Sequence, residues 1–259
     1  MSYKNILTGI NTFSDHWLSS IKTIQKENII IFDFEDYENL QNIIILKKID
    51  YIIPLSEKDF LTITNYKKYD NKIIYPATET INILHNKLLF TKFMLEHFYD
   101  YIPTTYYLDD IELCEIEYPA ISKPIYSTNG QNMVIIYSDS HLLWFKNKLI
   151  IQKFIKEQYE FGAFMFCING KIINWKIIKS KYADFTIKKQ NFPPNYEIVE
   201  NIDISIFERI IAKLNYSGGI NFDFKFNHSS NKINIFEINP RFGGSAFTLN
   251  FIYELLCIT

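Results

Sequence analysis

Short apolar runs alternate with polar, helix-compatible stretches through the first third of the chain. Asn5–Thr8, Asn28–Phe34 (NIIIFDF) and Ile49–Pro54 predict strands, and Lys72–Tyr75 is a further short apolar run. Ser14–Gln25 predicts a helix, with Ser14 suited to cap its N-terminus. Such alternation implies a small α/β layer with a parallel sheet. No GxGxxG accompanies it, so a dinucleotide-binding reading has no support. Asn82–Phe98 then reads as one amphipathic helix, its Leu84, Leu88, Phe93 and Met94 falling near helical spacing. Beyond Pro103 the pattern turns to strands: Thr104–Leu108, Ala120–Lys123, Asn132–Ile136 and Ile150–Phe154, with a helix from Asp139 to Phe145. Gly162–Ile168, Lys171–Ile177, Ile220–Phe226 and Lys232–Ile238 predict four more, with the helix Ser205–Leu214 among them and a turn at Asn169-Gly170. The fold class is α/β (α+β), and the expected divisions are residues 1–80, 81–155 and 156–259.

Composition narrows the function classes. Of 259 residues, 47% are hydrophobic and 22% charged, the balance of a soluble globular protein. A formal charge of −2 gives no general pull toward nucleic acid or an anionic membrane. Ile, Asn, Lys, Tyr and Phe are abundant together, as in the product of an AT-rich genome, so the 17% of aromatics is discounted as a base-stacking signal. The opening MSYKNILTGINTF lacks the basic, apolar and small-residue order of a secretory leader, and no apolar run approaches the ~20 residues that span a bilayer. Cys114, Cys167 and Cys257 are odd in number and widely spaced, which argues for reduced thiols and against a zinc site. The expected location is the cytoplasm. The five histidines have no metal spacing, although His85 lies beside Lys87. The locally basic Lys176–Lys189 is read as a solvated edge or loop near an anionic substrate.

Chemistry concentrates in Gly218–Ser245, GGINFDFKFNHSSNKINIFEINPRFGGS. Glu237 and Asn239 are two apart on a strand and share a face, and Asp223 can join them from the neighbouring strand. Two carboxylates and an amide carbonyl make a hard oxygen set suited to Mg²⁺ bridged to phosphates, with Mn²⁺ able to stand in. Arg241, two residues further on, would place a guanidinium where a transferring phosphoryl group develops charge. Gly243, Gly244 and Ser245 complete the turn, the glycines allowing close backbone approach.

FEINPRFGGS resembles the metal-binding signature of ATP-grasp enzymes, in the branch around the carbamoyl-phosphate synthetase large chain, biotin carboxylase and PylC-like ligases. The resemblance continues upstream in order. Asn86-Lys87 resembles the first nucleotide-contacting lysine, and YPAISKP supplies Lys123 as the second. YSTNGQNMVII resembles the flexible loop over the phosphates, with Gly130 as its one glycine. IIQKFIKEQYEFG resembles the hinge strand beside adenine: Gln152 at a position often Glu or Gln, Lys153, Phe154 and Ile155 offering backbone contacts, and Glu160, with Glu157 as alternative, taking the ribose hydroxyls. Lys176 or Lys179 stands where a further basic residue would face phosphate, Lys176 being preferred. The likeness spans about residues 80 to 250.

What the resemblance implies is an ATP-grasp fold behind a small N-terminal α/β domain, binding ATP and Mg²⁺. The implied activity is carboxylate–amine ligation through an acyl phosphate, releasing ADP and phosphate. The partners are a small-molecule carboxylate and an amine, with no nucleic acid and no membrane; homodimers are common among such enzymes. A carboxy- or carbamoyl-phosphate-forming enzyme and a nucleotide-binding regulatory module without catalysis are the other readings. The sparse glycine loop leans to the last, and the intact Glu237, Asn239 and Arg241 lean against it.

Overall fold

The computed structural model describes residues 4–9, 28–63, 67–109, 111–112, 114–125, 132–142, 149–181, 196–227, 232–244, 246, 249 and 251–257. Three sheets organise them. The first is parallel, built from β1 (Ile6–Gly9), β2 (Ile29–Phe32) and β3 (Tyr51–Ile53) in the order β2-β1-β3. Crossover connections of this kind need helices, and α1 (Tyr37–Leu46) and α2 (Glu57–Ile63) occupy the helix-compatible stretches. Ser14–Gln25 lies outside the described residues. The apolar run after Lys72 adds no full strand: Lys67–Lys72 is a 3₁₀ turn, and Ile73 contributes a single parallel bridge to Ile52.

The helix expected over Asn82–Phe98 is two helices, α3 (Thr78–His85) and α4 (Lys87–His97). The break has a local cause. Asn86 adopts an extended backbone and its side chain accepts hydrogen bonds from the Leu88 and Leu89 amides, capping α4 in competition with a continuous helix. The apolar spacing runs through both pieces, which is why periodicity alone joins them.

The second sheet is antiparallel, with β4 (Thr105–Asp109), β5 (Ile111–Glu112), β6 (Ala120–Pro124), β7 (Val134–Ile136) and β8 (Leu149–Lys153) in the order β5-β4-β8-β6-β7. The short α5 (Asp139–Leu142) follows β7, and the rest of the helix expected to Phe145 lies outside the described residues. The third sheet holds β9 (Tyr159–Ile168), β10 (Lys171–Lys181), β11 (Tyr196–Ile198), β12 (Gly218–Asn227) and β13 (Lys232–Asn239) in the order β11-β10-β9-β12-β13. Between β11 and β12 runs α6 (Ser205–Lys213), and α7 (Phe251–Leu256) closes the described chain.

Alternation along the third sheet divides it between two cores. Phe161, Ala163, Met165, Ile220, Phe222 and Phe224 face one side, where they bury Ile206, Phe207, Ile210 and Ile211 of α6 together with Met94 of α4. Phe164, Phe166 and Ile178 face the other, against Ile6, Ile29 and Ile53 of the first sheet and Ile252 and Leu255 of α7. Each buried Phe, Ile, Leu or Met among them contributes about 1.5–3 kcal/mol, so both faces anchor the sheet firmly. Among the described residues no helix is long and apolar enough to cross a membrane.

Candidate functional site

Toward one end of that second face, apolar side chains give way to charged ones. Cross-strand register makes the change visible: Asp223 stands opposite Gly162 on one side and Glu237 on the other, and Asn221 stands opposite Phe164 and Asn239. Asp223, Glu237 and Asn239 therefore project on one face, with Asn239 Nδ2 3.4 Å from Asp223 Oδ2. A register shift at Asp223–Phe224 leaves Phe236 as an extra residue in β13. Pro240 ends the strand because it has no N–H to donate. The Arg241 amide then turns back to the Asn239 carbonyl at 2.8 Å, and its Nη1 donates to the Phe242 carbonyl at 3.3 Å. The Phe242 ring fits only because Gly219 lacks a side chain: a Cβ there would sit 2.7 Å from the ring. Ser245 lies outside the described residues.

The second sheet and α4 supply the opposing wall. Lys123 is buried on β6, its ammonium 5.6 Å from the centre of the Phe236 ring and donating to Gln152 Oε1 at 2.8 Å. Gln152 Nε2 donates in turn to Thr105 Oγ1 at 3.0 Å, so the lysine is held by a neutral, hydrogen-bonded relay. Burial pushes the Lys123 pKa down to about 8; Glu237 and Glu160 resist the fall, while Lys87 and Lys225 add to it. Lys87 opens α4 and is itself buried, with Nζ 3.3 Å from Glu237 Oε1. Its amide donates to the Ile125 carbonyl at 3.1 Å, which ties the helix start to the end of the strand that carries Lys123.

Lys87, Lys123, Gln152, Glu160, Asp223, Glu237 and Asn239 thus gather between two sheets and a helix start. Glu160 lies in β9, two residues before Gly162 and on its face. Like charges directly opposite on a ladder repel, and the Lys87 ammonium offsets that cost for Glu237. A divalent cation fits this set by its chemistry: two carboxylates side by side, and an Asn239 carboxamide whose oxygen replaces its nitrogen toward Asp223 after a half-turn. No group of three His, Cys, Asp or Glu that could hold a metal forms among the described residues.

Other expected residues stand differently. Lys176 is on the site face but three strands from β13, a span of roughly 14 Å at ~4.8 Å per strand, and it pairs with Glu254 of α7 at 2.6 Å. Lys179 lies opposite Phe161, on the other face, near Glu197 at 3.7 Å. The Lys153 and Phe154 amides already donate to the Thr104 and Pro119 carbonyls, and the Lys153 ammonium meets exposed Glu117 at 3.0 Å. The Ile155 and Glu157 carbonyls accept from Lys225. Gly130 lies outside the described residues.

Two members of the constellation escape a reading by motif. Lys225 follows Asp223 by two on the same strand, and Asn221 precedes it by two, buried and with no hydrogen-bond partner for Oδ1 among the described residues. The sequence NFDFKF carries the signal, because strict alternation of polar residue and phenylalanine places all three polar side chains on one face.

A family model described as an ATP-grasp domain matches residues 84–245. Among solved structures, D-alanine–D-alanine ligase from Bacillus anthracis superposes with a TM-score of 0.56 at 17% identity, covering 98% of this chain and 94% of that one. Biotin carboxylase from Campylobacter jejuni gives 0.58 at 13% identity, covering 98% and 70%. D-alanine–D-alanine ligase from Helicobacter pylori gives 0.56 at 14%, covering 98% of each. A search of the curated proteins returns no match.

Proposed function

From the premise that this chain belongs to the ATP-grasp family, we propose that it is an ATP-dependent ligase joining a small-molecule carboxylate to an amine. The observation that supports the reading most is the pairing of two buried lysines on one wall of the cleft with Asp223 and Glu237 on the other. Triphosphate carries the charge that Lys87 and Lys123 match, each as a point charge at a fixed place. Mg²⁺ held by Asp223, Glu237 and Asn239 would supply further neutralisation of the phosphates. Arg241 would steady the charge on the phosphoryl group in transfer.

The carboxylate oxygen forms a bond to the γ-phosphorus as the bond to the bridging oxygen breaks, and ADP leaves. The amine lone pair then attacks the carbonyl carbon of the acyl phosphate, phosphate departs with the C–O electrons, and the nitrogen loses its proton. The protein's share is alignment, charge matching and exclusion of water from the intermediate. The structural neighbours include an L-amino acid ligase from Bacillus licheniformis as well as the D-alanine–D-alanine ligases, which makes amino acids the first substrates to try.

Two readings test this. Mg·ATP at ~100 times its Kd should stabilise the wild type by about 2.7 kcal/mol in thermal melting. Glu237→Ala should lose that shift while retaining its own unfolding transition. A screen of carboxylates and amines should then show ADP release that requires both. ADP release with a carboxylate alone would indicate a carboxy-phosphate former, and nucleotide binding without ADP release under any pairing would replace catalysis by regulation.

A further inference from the structure

Residues 154–158 connect the second sheet to the third, running from the end of β8 to the start of β9. Lys225 reaches this connector from β12. Its ammonium donates to the Ile155 carbonyl at 3.2 Å and to the Glu157 carbonyl at 3.1 Å, and it stands 5.8 Å from the centre of the Phe154 ring. Carbonyls in irregular backbone must find donors outside a ladder, and a half-buried ammonium on two of them is a strong one. Lys225 also shares its face with Asp223, two residues away, and its charge is felt at Lys123.

We propose that Lys225 is a positioning residue that clasps the connector, fixing the edge of the cleft against which the nucleoside half of ATP rests. The proposal rests on the nucleotide reading above. Three features favour a clasp over a phosphate contact. The ammonium donates to two carbonyls of one segment. That segment leads directly into Glu160, so holding it sets where Glu160 stands. Lys87 and Lys123 already bracket Glu237 from the other wall. A lysine that positions backbone acts on whatever packs against that backbone, whereas a lysine that meets phosphate acts only on the charged tail.

The two roles separate on truncated ligands. Lys225→Met should weaken adenosine, AMP and ATP by the same factor, about tenfold for the loss of a charged hydrogen-bond donor, and leave inorganic tripolyphosphate unchanged. Lys123→Met should do the reverse, weakening ATP and tripolyphosphate while sparing adenosine. Lys225→Arg keeps donors and charge and should stay close to wild type. Hydrogen exchange without any nucleotide gives an independent readout: in Lys225→Met the amides of residues 154–158 should exchange faster while those of α6 do not change. Failure of the wild type to bind adenosine or ATP would remove the nucleotide reading, and exchange would still report on the clasp. Unchanged exchange in the connector, or a loss confined to phosphate-bearing ligands, would overturn the clasp.

Discussion

Lys123 is charged at neutral pH only against the cost of its own burial. With its pKa near 8, below the ordinary lysine value, the folded chain gives up a proton that the unfolded chain keeps from about pH 8 to about 10.5. This group's effect on stability therefore favours the fold increasingly as pH rises through that window, because the buried ammonium is neutralised. Phosphate prefers the charged form, so nucleotide should pull the pKa back up. ATP binding at about pH 8.5 is expected to take up protons, and at about pH 6.5 to take up almost none through this residue. Calorimetry in two buffers of different ionisation heat reads the difference, and Lys123→Met should abolish it. Identical heats in both buffers at the higher pH would show that Lys123 does not titrate with the ligand. At this scale much of the constellation was legible: acidic and amide residues on paired strands, and two lysines in fixed order before them. Lys225 and Asn221 went unread because motif matching attends to acids and glycines, although alternation in NFDFKF aligns them with Asp223. The place of Lys176 was not legible either, because its distance across the sheet from Glu237 depends on register with strands far away in sequence.

Asn86 joins local structure to chemistry at the next scale. Its side chain caps α4 and its successor is the buried Lys87, so the same turn that breaks the helix delivers an ammonium to Glu237. A lysine in the first turn opposes the helix dipole and is tolerated here because a carboxylate lies beside it. Asn86→Ala should cost about 1 kcal/mol in urea denaturation through the lost cap and should also weaken ATP binding, since Lys87 loses its anchor. Stability reduced with nucleotide affinity intact would separate the two functions. Long, regularly patterned strands were predicted closely, as in Lys232–Asn239, whose buried Ile235 and Ile238 fall three apart because the extra Phe236 interrupts the alternation. The three-residue edge strand β11, the two-residue β5 and the six-residue α7 carry too few positions for any period to register.

Across the whole molecule, the mixed α/β class and the small parallel N-terminal sheet follow from patterning, since strands separated by helical stretches have few other arrangements. What patterning could not supply was the sharing of one sheet between two cores, because Phe164 and Phe161 look alike until the partners on each face are known. The contact that completes the cleft, Lys87 to Glu237, spans 150 residues of sequence. A pairing so distant carries a high loop-closure cost, whereas the β9–β10 and β12–β13 hairpins are local. The folding nucleus is therefore expected in the hairpins and their helices, with the cleft forming after the main barrier is crossed. In that order of events, Mg·ATP acts on the way out of the native state rather than on the way in. Saturating nucleotide should slow unfolding several-fold in stopped-flow jumps and leave the refolding rate nearly unchanged, whereas an equal gain in refolding would place the cleft within the nucleus.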